Sequence, residues 1–379
     1  MLDRFLNNVE EKRLFESNQK VLLAISGGID SMVLLHLFEK SGFDYGIAHC
    51  NFQLRGNESD LDEEFVRKQV LIHGVPAFFE KFDTEEYAKL SGISIEMAAR
   101  ELRYDFFEKI RIENNFDFIV TAHHQDDLIE TFFLNLSRKT GIKGLTGIKV
   151  KSRKIIRPLL FADRVEIENY ASLNYIDFRE DSSNNEVVFQ RNFLRHKILP
   201  LFSELNPAFK KNILASIENL KDAEKVYSGF LSSEKAGVIV KNKNETEIKI
   251  QALIKSSFPK ILLLEILSEF NFNATVVDEI FKSLSTESGK QFFSKTHRLV
   301  KDRNSLFVST IKENGDKIYY IEKDDIELFE PLDISIEKFP SENFQIVKEP
   351  SVACLDLDQI EFPLLIRKWQ QGDYFQPLG

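Results

Sequence analysis

Short apolar runs alternate with amphipathic stretches along the first third of the chain. The apolar runs predict β-strands, and apolar residues recurring every three to four positions predict helices. The predicted strands are Val21–Ile25, Tyr45–His49, Ala77–Phe82 and Phe118–Thr121, and the predicted helices are Asp60–Ile72, Ile95–Glu113 and Leu128–Ser137. This order is typical of an α/β fold in which a parallel sheet carries helices on both faces and binds ligands at the carboxyl ends of its strands. Three of these strands run directly into polar clusters, so we expect the clusters to share one cleft.

The pattern changes in the second half of the chain. Asn206 and Pro207 are typical of a helix cap and first turn, and they predict an amphipathic helix that extends to about Val226. Two further helices are expected over 258–284, a hairpin over Gln291–Ser309, and acidic strand-like segments after Lys312. We therefore expect a catalytic domain over 1–205, a smaller helical domain with a hairpin over 206–312, and a strand-rich C-terminal segment over 313–379.

Composition narrows the class of protein. The 379 residues are 43% hydrophobic, which fits a globular chain of two or three domains. The chain has no charged and apolar leader at Met1 and no apolar run of membrane-spanning length, so we expect neither secretion nor membrane insertion. Cys50 and Cys354 are too few and too isolated for a disulfide framework, which favours the reducing cytoplasm.

Charge is segregated along the sequence. The net charge of −10 argues against a protein that coats nucleic acid over its whole surface. The segment Arg138–Arg157 nevertheless contains eight basic residues and no acidic ones, with three glycines among them. This basic loop is either a local nucleic-acid contact or an ordinary solvated face.

The residues that follow the first predicted strand have the pattern of a phosphate-binding loop. Gly27 and Gly28 allow a sharp turn and a close approach of the backbone to a ligand, Ser26 and Ser31 add hydroxyl donors, and the next helix begins with unpaired N–H groups. The lysine of the familiar P-loop is missing, because Gly28 is followed by Ile29, Asp30 and Ser31. Asp30 supplies a carboxylate that is suited to a Mg²⁺ ion on a pyrophosphate.

A second cluster lies on the predicted helix Ile95–Glu113. Glu96, Arg100 and Arg103 are spaced at i, i+4 and i+7 and so share one face. They form an internal ion pair, or Arg100 projects into the cleft and binds a carboxylate or phosphate through its planar guanidinium.

The densest cluster of chemical groups is the segment Thr121–Thr131. It contains His123, His124, Asp126, Asp127 and Glu130 at a predicted strand-to-helix turn. Histidine and aspartate at this density suit a metal centre. Asp127 and Glu130 also share one helical face, where they could hold an ammonium group while a histidine transfers a proton.

These motifs carry a resemblance to known enzymes. The loop at 21–31 resembles the signature of the PP-loop ATP pyrophosphatases, which cleave ATP between its α and β phosphates. Within that superfamily, the ordered series of motifs is similar to that of the tRNA(Ile)-lysidine synthetases. The series comprises His49–Arg55, Glu96–Tyr104, Thr121–Thr131, Arg157–Leu160, Asp177–Asn184 and Arg191–His196. Lys368–Pro377 resembles the start of that family's C-terminal domain, which we expect to be incomplete here.

The resemblance implies a reaction and its participants. ATP would adenylate the C2 oxygen of the wobble cytidine in an isoleucine tRNA with a CAU anticodon, and the amine of free L-lysine would then displace AMP. Other PP-loop tRNA-modifying enzymes insert sulfur and need a persulfide cysteine or a Cys-x-x-Cys cluster, which the chain does not contain. A metal-dependent phosphohydrolase built on the two histidines and their neighbouring acids is the alternative from another class.

The resemblance also implies roles for individual residues. The ATP phosphates are assigned to Ser26, Gly27, Gly28, Ile29, Asp30 and Ser31, with Asp30 also holding Mg²⁺. Lysine is assigned to Arg100, Asp127 and Glu130, and proton transfer to His123 or His124. The expected tRNA contacts are Lys151, Arg153 and Lys154 of the basic loop, the helical domain after Asn206, and Arg191 and Arg195.

Overall fold

A computed structural model describes most of the chain and divides it into two compact units, Met1–Phe230 and Leu231–Gly379. The described residues are 1–138, 140–179, 190–242, 245–285, 288–311, 319–322, 327–328, 334–340, 344, 346–347, 349, 351–360 and 362–366. Within this described part, no helix is long and apolar enough to cross a membrane.

The first unit is built on a six-stranded sheet. Its strands are β1 (Val21–Ala24), β2 (Tyr45–Asn51), β3 (Ala77–Lys81), β4 (Phe118–Val120), β5 (Lys151–Ser152) and β6 (Ile155–Ile156). Their spatial order is β3-β2-β1-β4-β6-β5, and every neighbouring pair is parallel except β5 with β6. The chain moves outward from β1 to β3 and then returns to the other side of β1 at β4. Ligands bind at such a reversal in α/β sheets.

Helices follow the strands in the first unit. They are α1 (Leu2–Glu11), α2 (Ile29–Ser41), α3 (Asn57–His73), α4 (Thr84–Ser91), α5 (Ile95–Glu113), α6 (Gln125–Ser137), α7 (Ile142–Leu145), α8 (Arg164–Leu173), α9 (Gln190–Phe193), α10 (Leu199–Leu205) and α11 (Phe209–Val238), with a π-helical turn at Leu194–Ile198. Successive strand side chains point to opposite faces. Val21 and Leu23 therefore pack in one core cluster and Leu22 in another. The predicted α/β architecture with helices on both faces is confirmed.

The first residues of two helices, α5 and α11, show how well local sequence signals predict where a helix begins. The predicted helix Ile95–Glu113 is observed with the same bounds, and the Ser94 hydroxyl caps it by accepting the N–H of Met97 at 3.2 Å. The helix predicted from Asn206 begins instead at Phe209 and continues to Val238. The Asn206 side chain accepts the N–H of Ala208 at 2.9 Å, so it forms a turn before the helix begins.

The second unit combines helices with antiparallel strands. Its helices are α12 (Ile250–Lys255), α13 (Pro259–Ser268) and α14 (Ala274–Ser283). An antiparallel sheet of order β7-β8-β11-β10-β9 comprises β7 (Ile239–Lys241), β8 (Glu245–Lys249), β9 (Gln291–Phe293), β10 (His297–Lys301) and β11 (Ser305–Thr310). The predicted hairpin corresponds to β10 and β11. Two short pairs follow, β12 (Tyr319–Ile321) with β15 (Leu364–Ile366) and β13 (Glu327–Leu328) with β14 (Ile334–Ser335).

The domain limits predicted at 205 and 312 remain predictions beside the observed division after Phe230. Two of the motifs extend beyond the described residues. Asp177–Asn184 is described only as far as Arg179, and the whole of Lys368–Pro377 falls outside the described part.

Candidate active site at the ends of the central strands

The loop after β1 is shaped by its own side chains. The Ser31 hydroxyl accepts the N–H of Gly27 at 3.1 Å and donates to the carbonyl of Gly28 at 2.8 Å. Gly27 has φ of +95°, a backbone conformation that favours glycine. The predicted loop residues therefore form a preshaped turn.

This loop leads into the N-terminus of α2. The helix begins at Ile29 after Gly28, and no side chain of the described residues caps it. Its first N–H groups and the positive end of its dipole therefore point toward the loop and suit an anion. Ile29 is only 7% exposed, so it offers backbone and not side-chain contacts.

Asp30 stands beside this N-terminus and is held by a cation from another helix. Arg164, the first residue of α8, places Nη1 3.0 Å from each carboxylate oxygen of Asp30. Burial raises the pKa of Asp30, and the neighbouring charges of His124 and Arg164 oppose that rise. The carboxylate predicted to hold a metal is thus occupied by a guanidinium.

His124 joins the phosphate loop to the turn after β4. Its Nε2 lies 3.6 Å from Oδ1 of Asp30 and 3.6 Å from Oδ2 of Asp127, and its Nδ1 accepts the N–H of Asp126 at 3.3 Å. These contacts place the imidazole proton on Nε2, between the two carboxylates. Burial alone would lower the pKa of His124, but the surrounding carboxylates outweigh it and raise that pKa.

Asp126 and Asp127 have different surroundings although they are adjacent in sequence. Asp127 accepts the N–H of His124 at 3.0 Å, which closes a capping box at the start of α6. Asp126 accepts the N–H of Arg164 at 2.9 Å and pairs with the ammonium of Lys210. Asp127 therefore faces the histidines, while Asp126 ties α6 to α8 and α11.

Glu130 lies one helical turn after Asp127 and has no exposed surface. Its Oε1 accepts Nε of Arg195 at 2.6 Å, and Nε of Arg191 lies 3.5 Å from Oε2. Oε2 is buried without a hydrogen-bond partner in the described part of the chain. Burial raises the pKa of Glu130, and Arg195 opposes the rise. The two arginines that were expected to contact tRNA are thus positioned by this carboxylate.

His123 lies near several arginines, whereas His124 lies near carboxylates. The Thr121 hydroxyl lies 2.8 Å from its Nδ1. Burial, followed by the charges of Arg157, Arg191 and Arg103, lowers the pKa of His123 to about 4, although Asp127 acts in the other direction. His123 is therefore neutral at neutral pH.

Arginines form a basic wall on this side of the cleft. Arg100 is exposed and lies over the Tyr104 ring at 5.0 Å. Burial is the main cause that lowers the pKa of both Arg103 and Arg157, and the charge of Arg100 adds to it. Nε of Arg157 is buried and has no hydrogen-bond partner among the described residues. Positive charge accumulates here and suits an anionic ligand.

Some cations of the basic loop contact the rest of the protein, and others face solvent. The Lys151 ammonium donates to the carbonyls of Arg13 and Leu14 at 3.2 and 2.7 Å and lies 4.4 Å from the Phe118 ring. Lys154 lies over the same ring at 5.3 Å. Arg153 is exposed at φ of +51°, in the turn between β5 and β6. Lys151 thus anchors the loop, and Arg153 is presented to solvent.

The geometry also concerns two other interpretations of these residues, a metal centre and a sulfur-inserting enzyme. Among the described residues, no three histidine, cysteine or acidic side chains are grouped as metal ligands. Instead, His124 and basic side chains separate and neutralise the acids of the Thr121–Thr131 cluster. Burial raises the pKa of Cys50 to about 12, so this thiol is not a ready sulfur nucleophile.

Sequence reasoning did not identify Arg164 or Lys210 as parts of the site. A local signal was available for Arg164, because Asp163 and Glu166 form a capping box that begins α8 at this residue. Its pairing with Asp30 joins distant parts of the chain and has no periodic signature. Lys210 lies in the first turn of α11, where a lysine is otherwise typical of a solvated face.

Two parts of the chain match known family models. Residues 1–202 match the family model described as a PP-loop domain, and residues 241–311 match the model described as a TilS substrate binding domain. The chain is similar to tRNA(Ile)-lysidine synthases of three bacteria. Identity is 39% to that of Bacteroides thetaiotaomicron, over 99% of this chain and 85% of the relative, and 38% to that of Parabacteroides distasonis, over 98% and 84%. Identity to the Porphyromonas gingivalis W83 protein is 36%, over 100% of this chain and 85% of the relative.

Proposed function

The chain belongs to the tRNA(Ile)-lysidine synthase family, and from that membership we propose how its cleft performs the reaction. The protein is a ligase that uses ATP to form lysidine on tRNA(Ile). The modified base is the wobble cytidine of the CAU anticodon, and free L-lysine is the second substrate. The reaction passes through an adenylated cytidine and releases pyrophosphate and AMP.

ATP binds with its phosphates on the loop after β1. The N–H groups at the start of α2 and the hydroxyls of Ser26 and Ser31 contact the phosphates. Mg²⁺ is bound in proteins through one or two carboxylates together with substrate phosphates, so Asp30 alone is sufficient as its protein ligand. Asp30 would hold the ion, which would supply neutralisation of phosphate charge.

Adenylation prepares a poor leaving group for displacement. The C2 oxygen of cytidine attacks the α-phosphate, the bond from that phosphorus to the bridging oxygen breaks, and pyrophosphate leaves with the electron pair. C2 then carries AMP, which an amine displaces far more readily than it would displace an oxide. The enzyme contributes by holding tRNA, ATP and lysine together, which lowers the entropic cost of both steps.

One observation supports the lysine site above all others: Oε2 of Glu130 is buried and accepts no hydrogen bond from the described residues, although Nε of Arg191 lies 3.5 Å away. A buried acceptor without a donor is costly, and an ammonium group supplies the missing hydrogen bond. Asp127, one turn earlier on α6, provides a second carboxylate for the same group. Arg100 in the basic wall receives the carboxylate of lysine.

Proton transfer is assigned to His124. The ammonium must lose a proton before its nitrogen attacks C2. Nε2 of His124 lies 3.6 Å from a carboxylate oxygen of Asp30 and of Asp127, a position from which the imidazole can pass a proton. Burial keeps His123 neutral, which suits a hydrogen-bonding role near the base.

The tRNA rests on the exposed part of the basic loop and on residues after Asn206. Arg153 and Lys154 are exposed cations of that loop. Phosphate contacts of this type give affinity and position, while the wobble base is selected in the cleft. Since tRNA modification precedes translation and the two cysteines are isolated, the cytoplasm is the compartment we propose.

Incorporation of radiolabelled lysine into tRNA(Ile) transcripts tests this function. With ATP and Mg²⁺, label should enter the CAU transcript, and a transcript with uridine at the wobble position is the matched control. Label in both transcripts, or in neither, would overturn the proposal. ATP-dependent incorporation of sulfur instead of lysine would favour a different PP-loop enzyme.

A further inference from the structure

The phosphate loop has no cation of its own. Residues 21–35 contain no lysine or arginine. A departing pyrophosphate nevertheless carries several negative charges, and loops of this kind in other nucleotide-binding proteins place a lysine against them. A basic side chain from elsewhere in the fold would add to the charge that Mg²⁺ supplies.

Arg164 brings a basic side chain to the start of the helix that follows the loop. Its guanidinium lies 3.0 Å from both oxygens of Asp30 through Nη1. Asp30 is the second residue of the helix whose N-terminus faces the phosphates. Arg164 therefore places its positive charge beside the phosphate site.

The backbone of Arg164 is fixed more firmly than its side chain. The Arg164 N–H donates to Asp126 at 2.9 Å, and the preceding Asp163 caps α8. The side chain is 38% exposed and pairs along its own helix with Glu168 at 2.6 Å. A fixed base with an accessible guanidinium permits the group to change partners by side-chain rotation alone.

Asp30 cannot serve both partners fully. While Nη1 bridges both of its oxygens, fewer of their lone pairs are left for a metal ion. The Asp30 carboxylate thus keeps the Arg164 guanidinium at the phosphate site before nucleotide arrives.

We propose that Arg164 is a pyrophosphate-binding residue that leaves Asp30 when ATP binds and then contacts the β and γ phosphates. Its guanidinium matches phosphate oxygens in a bidentate manner and stabilises the charge that develops on pyrophosphate as the bond to the α-phosphate breaks. The released Asp30 becomes available to Mg²⁺. This inference rests on the proposed function, since it assigns a residue to the same ATP site.

Equilibrium binding of ATP, pyrophosphate and AMP to the full chain in the presence of Mg²⁺ tests the assignment. Arg164→Gln should weaken ATP and pyrophosphate binding by about 10- to 100-fold. Binding of AMP, which lacks the β and γ phosphates, should change by less than about threefold. The matched control is Arg4→Gln, because Arg4 pairs with Glu166 on the same helix away from the loop.

The outcomes separate the inference from the function on which it rests. Equal losses for ATP and AMP, or no loss for either, would overturn the role of Arg164. Absence of ATP binding and of lysidine formation in the wild-type protein would overturn the proposed function instead. If Arg164→Gln does not fold, Arg164→Lys serves in its place. That variant keeps the charge but loses the bidentate geometry, so pyrophosphate affinity should fall several-fold while AMP affinity stays unchanged.

Discussion

Nε of Arg195 lies 2.6 Å from Oε1 of Glu130, a side chain with no exposed surface. The arginine reaches this carboxylate from the π-helical turn Leu194–Ile198. Oε2 stays buried without a hydrogen bond from the described residues, with Nε of Arg191 3.5 Å away, so Arg195 orients Glu130 through the other oxygen. The sequence motif that contains Arg191 and Arg195 is thereby connected to the proposed lysine site.

Glu130→Gln should damage lysine use more than ATP use. The substitution preserves the shape of the side chain but removes the charge that attracts an ammonium group. We expect KM for lysine to rise about 10- to 100-fold, since a charge-assisted hydrogen bond contributes about 1.5–3 kcal/mol. KM for ATP should change by less than about threefold in the same assay, and equal rises for both substrates would contradict the assignment.

Asp127→Asn should act in the same direction while sparing the helix. The asparagine oxygen still accepts the N–H of His124, so the start of α6 remains capped. The lysine requirement should rise while tRNA-dependent exchange between ATP and pyrophosphate persists. Loss of that exchange would place Asp127 with the nucleotide or its metal.

Asp30→Ala should abolish adenylation, because it removes the carboxylate proposed for Mg²⁺. We expect tRNA-dependent exchange between ATP and pyrophosphate to fall at least about 100-fold, which corresponds to about 2.7 kcal/mol of barrier. The fold should survive, since Asp30 is partly exposed. Near-normal consumption of ATP in this variant would exclude the role.

The basic loop should contribute to tRNA affinity through its exposed cations. Replacing Arg153 and Lys154 with alanine should weaken tRNA binding and flatten the plot of log affinity against log salt by up to about 0.9 per lost contact in a duplex stem. Turnover at saturating tRNA should change less. Lys68→Ala, at an exposed ion pair on α3, provides the comparison. An identical salt slope in wild type and double variant would leave the loop as a solvated face.

Acid stability should depend on Asp126. Burial would raise its pKa, but the contacts with His124, Lys210 and the Arg164 N–H outweigh burial and lower it. A carboxyl whose folded pKa is depressed stabilises the protein above its unfolded pKa, near 3.9, and loses that contribution as pH falls through the folded value. Asp126→Asn should therefore lower the thermal midpoint at pH 7, and this deficit should shrink below about pH 4. Asp222→Asn, at an exposed pair with Lys225, should leave the midpoint unchanged at both pH values.

Local patterns predicted the scaffold and the ends of its strands. Apolar runs identify β1, β2 and β4 because their residues are largely buried, and β3 is identified although its residues are only partly buried or exposed. The glycines and serines of the phosphate loop were equally predictable from the sequence, since they are typical of a tight turn beside a helix N-terminus. The placement of His123, His124 and Asp127 at a strand end follows from the same pattern.

The partners of the charged groups were not predictable in this way. Arg164 meets Asp30, and Arg195 meets Glu130, across elements that are far apart in sequence. Long charged side chains also look alike whether they pair internally or face solvent. Lys151 resembles a tRNA contact in the sequence, yet its ammonium donates to two main-chain carbonyls.

The central position of β1 has a consequence for how the enzyme is made. Val21 pairs with Phe118 across four intervening helices and two intervening strands. Contacts between distant parts of a chain form late, because closing the loop costs entropy before any contact repays it. The phosphate loop follows β1 and the His124 turn follows β4, so neither half of the cleft faces the other until these strands meet. During synthesis, the nucleotide site should therefore stay unformed until β4 has left the ribosome, and shorter nascent chains should not bind ATP.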